Sequence, residues 1–130
     1  MFSHATLGTN AFGQALAFWR AVMAALGHRE RFVDLSRPWA GWEPAGGGRP
    51  LFLLTAPHDG KAATAGNGAM LAFTCASRAQ VRAAHAAGLQ AGGRDEGAPA
   101  LRPEYHPAYY GAYLRDPDGN KIGFACHDAE

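Results

Sequence analysis

The feature that most constrains this fold is a strand and helix pattern that occurs twice. Residues 2–9 alternate loosely between apolar and polar side chains, which is typical of a half-buried strand. From Ala11 to Gly27, apolar residues recur at spacings of three and four, which indicates an amphipathic helix with a glycine stop. Asn10 is its predicted N-cap. The apolar face contains Ala15, Leu16, Trp19, Val22, Met23 and Leu26.

The same pattern returns in the second half of the chain. Residues 70–75 predict a strand, and a capping box at Ser77–Gln80 opens a second helix. His4 precedes the glycine stop of the first helix by 23 residues, and Met70 precedes Gly93 by the same number. This repeat, offset by 66 residues, predicts two supersecondary units packed together.

Each helix is followed by segments with strand patterns only. A turn with Pro and Gly at 116–119 predicts a hairpin near the end of the chain. Segments 57–67 and 95–107 carry glycine and proline, so we predict loops there, the first of which joins the two halves. The candidate strands are 28–35, 39–43, 50–55, 109–115 and 120–127.

These elements predict one α+β domain, residues 1–130, made of two tandem βαβββ modules at about 1–60 and 66–130. We expect a curved, cavity-enclosing mixed sheet with the helices on the outside. A chain of 130 residues is long enough to bury a core without a metal or disulfide.

Composition excludes several classes of protein. The net charge is +1 and the basic residues are scattered, so we expect no nucleic-acid partner. Apolar runs are only a few residues long and the N-terminus lacks a signal-peptide pattern, which favours a cytoplasmic protein without a membrane anchor. Cys75 and Cys126 form no metal or disulfide pattern, and their strand parity predicts that both face the helices.

The opening segment 2–10, the Ala-Leu-Ala-Phe-Trp helix at 15–19 and the hairpin at 109–122 resemble the vicinal oxygen chelate superfamily. This superfamily contains glyoxalases, bleomycin resistance proteins and extradiol dioxygenases, and the resemblance covers essentially the whole chain. It implies a ligand cavity bounded by the sheets, and commonly a divalent metal held by one inward-facing side chain from the first and last strand of each module.

The four metal positions that the resemblance implies can be checked in turn. His4 occupies the first and is an acceptable ligand. Met70 occupies its counterpart, and a thioether suits soft copper(I) better than harder ions. Gly123 stands where the last strand often carries Glu, and residues 51–55 are apolar near their middle. One ligand of four remains, so we expect no metal and no other cofactor, with a divalent metal held through His4 as the alternative.

Strand parity assigns further side chains to the predicted cavity. If His4 and Met70 face it, Thr6 does too, and the last strand contributes Lys121. Phe52, in the fourth strand of the first module, is a further candidate ligand-binding residue.

Two aromatic assignments depend on pairing and parity. If Leu114 pairs with Lys121, Tyr110 shares the inner face and its hydroxyl is a candidate ligand contact, but a bulged turn would shift this assignment by one residue. Trp39 and Trp42 fall on opposite strand faces, so we expect at most one of them to line the cavity.

The loop after the second helix collects polar and aromatic groups. Arg102, Tyr105 and His106 stand within five residues of one another in a Pro-bounded segment. Tyr105 and His106 could form a mouth that holds an anionic or aromatic ligand, with Arg102 as its counter-charge. A solvated surface loop is the alternative.

The leading hypothesis is a metal-free protein of this superfamily that binds a small organic molecule, in a sequestering or resistance role, as a homodimer. The rival is a metal-dependent lyase, isomerase or dioxygenase that uses His4 with further ligands, for which His106 and His127 are candidates. A third possibility is a pocket filled by the protein's own side chains.

Overall fold

The computed structural model describes residues 1–130 and shows two modules with the same order of elements. The first contains β1 (His4–Gly8), α1 (Phe12–Leu26), β2 (Arg29–Asp34), β3 (Trp39–Glu43) and β4 (Leu51–Thr55). The second contains β5 (Leu71–Thr74), α2 (Arg78–Gln90), β6 (Arg94–Leu101), β7 (Tyr110–Arg115) and β8 (Lys121–Cys126). The predicted α+β fold of two βαβββ modules is confirmed. No helix combines the length and the apolar character that a membrane span requires.

Each module forms its own four-stranded mixed sheet. The strand orders are β1-β4-β3-β2 and β5-β8-β7-β6. The pairs β1–β4 and β5–β8 are parallel, and all other neighbouring strands are antiparallel. The sheets do not pair with each other or close into a barrel, so the expected cavity is open along the facing edge strands β1 and β5.

The predicted loop at 95–107 is wrong over its first half, because residues 94–101 form β6. This strand pairs with β7 through two register shifts, one of which spans Pro99. Proline cannot donate a hydrogen bond to a neighbouring strand, but β6 is an edge strand and tolerates it there. The glycine and proline that suggested a loop therefore mark irregularities within an edge strand.

The two helix starts differ in how well the sequence predicts them. The Ser77 hydroxyl accepts a hydrogen bond from the Gln80 backbone amide at 3.1 Å, as the capping box predicts. Asn10 does not cap α1; its side-chain amide instead exchanges hydrogen bonds of 2.7 and 3.1 Å with the Ala63 backbone. Asn10 thus anchors the connector between the modules.

One hydrophobic core serves both modules. Nineteen buried residues from both helices and both sheets form a single cluster, which includes Cys75 and Cys126 as predicted. The Trp19 ring lies 4.4 Å from the Phe52 ring in the first sheet and 5.9 Å from the Phe73 ring in the second. A side chain of α1 therefore joins the two sheets.

The helices also pack directly against each other. Gly88 of α2 lies so close to its surroundings that an added β-carbon would be 2.5 Å from Cδ2 of Leu114 and 3.5 Å from atoms of Phe18 and Val22. The Gln80 side chain donates to the Leu26 carbonyl oxygen at 3.1 Å and so satisfies an otherwise free acceptor at the end of α1. The position of α2 thus depends on the absence of a side chain at Gly88 and on the hydrogen bond from Gln80 to α1.

We predict that Gly88→Ala lowers the free energy of unfolding by about 1–3 kcal/mol, because the new methyl overpacks a buried contact with Leu114. Gly13→Ala is the matched control, since position 13 lies in α1 with open space around it. This control should be neutral or stabilise by up to about 1 kcal/mol. Urea unfolding of both variants tests this, and equal effects would contradict the close packing of the helices.

Candidate functional site

A cleft of about 440 Å³ lies between the two sheets. The strands β1 and β4 form one wall and β5 the other, while the end of α1 also lines the cleft. Two other cavities are smaller, at about 330 and 210 Å³. A mostly apolar concavity of this size is typical of small-molecule sites. Its apolar walls include Met23, Trp42, Leu51, Phe52, Leu71 and Phe73.

The chain builds this cleft from bulky residues in the core and small ones at the edges. Trp42, Phe52 and Phe73 project from the helix-facing sides of their strands. Ala5 and Ala72, on the edge strands β1 and β5, also line the cleft. Because these edge residues carry only methyl groups, the gap between the sheets remains open next to the aromatic core.

His28 supplies a polar group to the cleft, and the end of α1 positions it. Gly27 adopts a left-handed conformation with φ of 79°, and the His28 amide then donates to the Met23 carbonyl at 3.0 Å. The Nδ1 atom of His28 is buried without a hydrogen-bond partner. Burial lowers the pKa of His28, so its imidazole is neutral at pH 7. His28 therefore brings an uncharged imidazole to the lining of the cleft, with Nδ1 turned away from solvent.

The other ionisable lining residue, Glu43, is already paired. One carboxylate oxygen lies 2.8 Å from Nη2 of Arg29, and the other lies 3.3 Å from Nη1 of Arg31. Both oxygens are thus engaged by cations of the same module. The polar end of the cleft offers no free charge beside His28.

The side chains at the implied metal positions do not fit a divalent metal. His4 is exposed, and its Nδ1 lies 2.9 Å from the Ser3 hydroxyl. A β-carbon at Gly123 would lie 3.3 Å from two ring carbons of Tyr113, so this ring covers the place of a ligand side chain. Nowhere are three or more His, Cys, Asp or Glu side chains grouped to hold a metal ion.

Three predicted site residues lie together, but not in the main cleft. Thr6, Met70 and Lys121 line the cavity of about 210 Å³ on the other side of the β1 and β5 edges. Of the predicted binding residues, only Phe52 lines the main cleft. Trp42 lines it as well and Trp39 does not, in agreement with the prediction for the two tryptophans. These three predicted residues therefore lie on the opposite side of the sheets from the main cleft.

The predicted orientation of Tyr110 is wrong. Leu114 pairs with Ile122, and Arg115 pairs with Lys121, which is the one-residue shift that the bulged-turn alternative describes. Tyr110 therefore packs toward the helices, with its hydroxyl 3.4 Å from Nη1 of Arg82 on α2.

Tyr113 lies on the opposite, free face of β7 instead, where its hydroxyl is 2.8 Å from that of Tyr109. Burial, followed by this hydrogen bond, raises the pKa of Tyr113 to about 12. The phenol therefore remains protonated at neutral pH.

The loop residues Arg102, Tyr105 and His106 do come together with the free face of the second sheet. The Arg102 guanidinium lies 5.0 Å from the centre of the Tyr113 ring, and Tyr105 packs edge-on against Tyr109. Nε2 of His106 lies 2.8 Å from Nδ1 of the other candidate metal ligand, His127. These side chains form a surface cluster that is not part of the cleft.

The cleft contains residues that sequence reasoning missed, chiefly His28, Met23 and Phe73. The sequence pattern places Met23 and Phe73 toward the core. In the structure Met23 belongs to the core and Phe73 packs against it, and both also line the cleft. The signal for His28 was its place directly after the glycine stop, since a left-handed glycine fixes the direction of the next residue.

Comparisons with known proteins agree with this architecture. A family model described as a glyoxalase-like domain matches residues 4–124. The chain is 37% identical to a glyoxalase/bleomycin resistance protein from Albidiferax ferrireducens T118, with a TM-score of 0.86 over 97% of this chain and 98% of that one. A comparison with curated proteins found no match. The fold is that of the glyoxalase, bleomycin resistance and dioxygenase superfamily, and the chain belongs to its glyoxalase-like family.

More distant structures show the fold alone. A glyoxalase/bleomycin resistance protein/dioxygenase family enzyme from Burkholderia phytofirmans PsJN is 20% identical, with a TM-score of 0.71 over 97% of this chain and 98% of that one. A lactoylglutathione lyase from Agrobacterium tumefaciens is also 20% identical, with a TM-score of 0.67 over 97% of this chain and 92% of that one. The resemblance seen in the sequence is thus confirmed for the fold.

The lowered pKa of His28 predicts an acid-dependent loss of stability. The unfolded chain binds a proton at His28 near pH 6.5, whereas the folded protein resists it until a lower pH. The free energy of unfolding therefore falls as the pH drops below about 6.5. In His28→Leu this contribution is absent, so denaturant unfolding should show a shallower decline between pH 7 and 5 than in the wild type. His58→Leu, which removes an exposed histidine, should decline as the wild type does; identical slopes in all three proteins would contradict the prediction.

Proposed function

We propose that the protein binds a small organic molecule in the cleft between its sheets, without a metal. The proposal rests on the mainly apolar cavity of about 440 Å³ between β1 and β5. Sites for small molecules combine such apolar walls with a few polar groups, and His28 is a polar residue in this lining. The misfit of His4, Met70 and Gly123 with a metal site supports the metal-free part of the proposal.

The alternative is a metal-dependent lyase, isomerase or dioxygenase that uses His4. It needs further ligands, and His106 and His127 hydrogen-bond to each other instead of joining a group of three or more. No feature of the described side chains favours this alternative over metal-free binding.

The first test measures binding of 2-methylnaphthalene, an uncharged two-ring probe, by equilibrium dialysis with and without EDTA. Binding should be unchanged by the chelator. Ala5→Phe, whose ring projects from β1 on the same side as Phe52 and so fills the cleft, should weaken it about tenfold or more. Ala100→Phe is the matched control, because position 100 is exposed on the edge strand β6 outside the cleft. It should bind as the wild type does.

Metal analysis of protein purified without chelator completes this test. Stoichiometric divalent metal that is lost in His4→Ala would overturn the metal-free proposal in favour of the enzyme. Unchanged binding in Ala5→Phe would overturn the placement of the ligand in the cleft.

We further propose that the protein is a homodimer. The free face of the first sheet supports this, because the Phe32 and Trp39 rings meet there at 4.5 Å with the Arg37 guanidinium 3.6 Å above Trp39. An aromatic surface of this kind is typical of interface cores. Light scattering at micromolar concentration should give twice the chain mass of 13.7 kDa, and the single-chain mass would contradict the proposal.

A further inference from the structure

We propose that two arginines of α2, Arg78 and Arg82, form with the Tyr110 hydroxyl a binding site for a phosphate group. The site lies on the helix side of the second sheet and is separate from the cleft, because none of the three residues lines the cleft. The proposal therefore does not depend on the ligand of the cleft. It follows from the positions of the two arginines, which we call the arginine pair, and from the acidic partners that they lack.

The arginine pair converges on one residue of β7. Arg78 and Arg82 are four positions apart in α2, so they lie one turn apart on the same side of the helix. Their guanidinium carbons lie 5.4 and 5.9 Å from the centre of the Tyr110 ring. Nη1 of Arg82 also donates a hydrogen bond of 3.4 Å to the Tyr110 hydroxyl. Both positive charges are thus held next to one ring.

The nitrogen atoms that a ligand would contact are accessible. Nη1 and Nη2 of Arg78 have no hydrogen-bond partner, and only Nε of this guanidinium is buried. The Arg82 side chain is exposed, and Nη1 is its only side-chain nitrogen with a hydrogen bond. Because the Tyr110 hydroxyl accepts from Arg82, its own proton remains available to another acceptor. The site therefore presents hydrogen-bond donors, which is what an anion requires.

Neither guanidinium of the arginine pair has an acidic partner. Four other arginines form ion pairs with glutamates, whereas Arg78 and Arg82 form none. The Glu130 carboxylate does lie at the start of α2, but it accepts a hydrogen bond of 2.6 Å from the Arg78 backbone amide and not from a guanidinium. Both charges of the pair therefore remain free for a ligand.

The arginine pair also conflicts with the local rules of helix stability. Helix α2 has no acidic residue in its first turn, where the positive end of the helix dipole favours acids and disfavours cations. Like charges one turn apart repel each other as well. An anion bound to the pair offsets both effects. Residues that break such local rules are expected at functional sites, which supports a role of the pair in binding.

The number of charges and donors selects the chemical class of the ligand. Two guanidinium groups balance a dianion, and arginine binds phosphate oxygens through several hydrogen bonds at once. A phosphate ester carries about 1.5 to 2 negative charges near pH 7 and has three acceptor oxygens. A carboxylate has one charge and fewer acceptors. Free phosphate and a small phosphate ester share this chemistry, and the experiment distinguishes the two sources.

The test is an NMR titration of the ¹⁵N-labelled protein with inorganic phosphate, methyl phosphate or acetate, at pH 7.5 and constant ionic strength. Phosphate should shift the amide resonances around Arg78 and Arg82 in a saturable way, which gives a dissociation constant. Acetate should bind at least about threefold more weakly. Tighter binding of methyl phosphate than of phosphate would support an ester as the source, and the reverse would support the free ion.

Three variants locate the site. Arg82→Gln should weaken phosphate binding about tenfold or more, because a charge-assisted hydrogen bond is lost. Arg49→Gln is the matched control, since it removes an exposed arginine of the first module, and it should leave the dissociation constant unchanged. Glu130→Gln removes a neighbouring negative charge and should tighten binding about two- to fivefold. The same spectra show that each variant is folded.

Three results would overturn the proposal. Equal weakening in Arg82→Gln and Arg49→Gln would mean that phosphate responds only to the net charge of the chain. Resonance shifts confined to residues outside α2 and Tyr110 would place the anion elsewhere. Acetate that binds as tightly as phosphate would remove the assignment of a dianion. None of these results bears on the binding of 2-methylnaphthalene, so the proposed function is tested separately.

Discussion

The contact between α1 and α2 is the constraint on which the rest of this structure depends. Because Gly88 has no side chain, α2 packs closely against Leu114 of its own sheet and against Phe18 and Val22 of α1. The two modules therefore share one hydrophobic core. Gln80 adds a hydrogen bond to the last turn of α1. Two modules with small separate cores thus share one, which gives a fold of 130 residues a larger buried cluster than either half supplies alone.

The cleft is a consequence of that contact. The modules meet through their helices and aromatic side chains, and their edge strands β1 and β5 remain unpaired. The void between these edges has core side chains for walls, and the cap of α1 places His28 in its lining. The same packing that stabilises the chain therefore shapes the site in which we propose that a ligand binds.

The sequence predicted the modules well because their signals are local. The spacing of apolar residues, the glycine stop and the capping box each act within a few residues, and parity placed Thr6, Lys121 and both cysteines on their correct faces. The errors arose where a partner strand decides the outcome. Pairing with β7 turns a segment with Pro99 into a strand, and the register of the last hairpin places Tyr113 where Tyr110 was expected.

The sequence does not predict the main cleft, because its lining residues come from both modules. His28 and Phe73, for example, lie 45 positions apart and line one cleft only when the two modules pack together. The residues at the implied metal positions, by contrast, could be identified from the sequence. Met70 and Gly123 are poor metal ligands, so the sequence alone predicts no metal site there. In the structure, the Tyr113 ring lies beside Gly123 and covers the place of a ligand side chain.

The central claim is that a ligand occupies the cleft and not the position of the family's metal. Methionine methyl NMR tests it most directly, because Met23 lines the cleft while Met70 lines the separate cavity beside Lys121. With EDTA present, addition of 2-methylnaphthalene should shift the methyl resonance of Met23 and leave that of Met70 in place. A shift confined to Met70 would contradict the account.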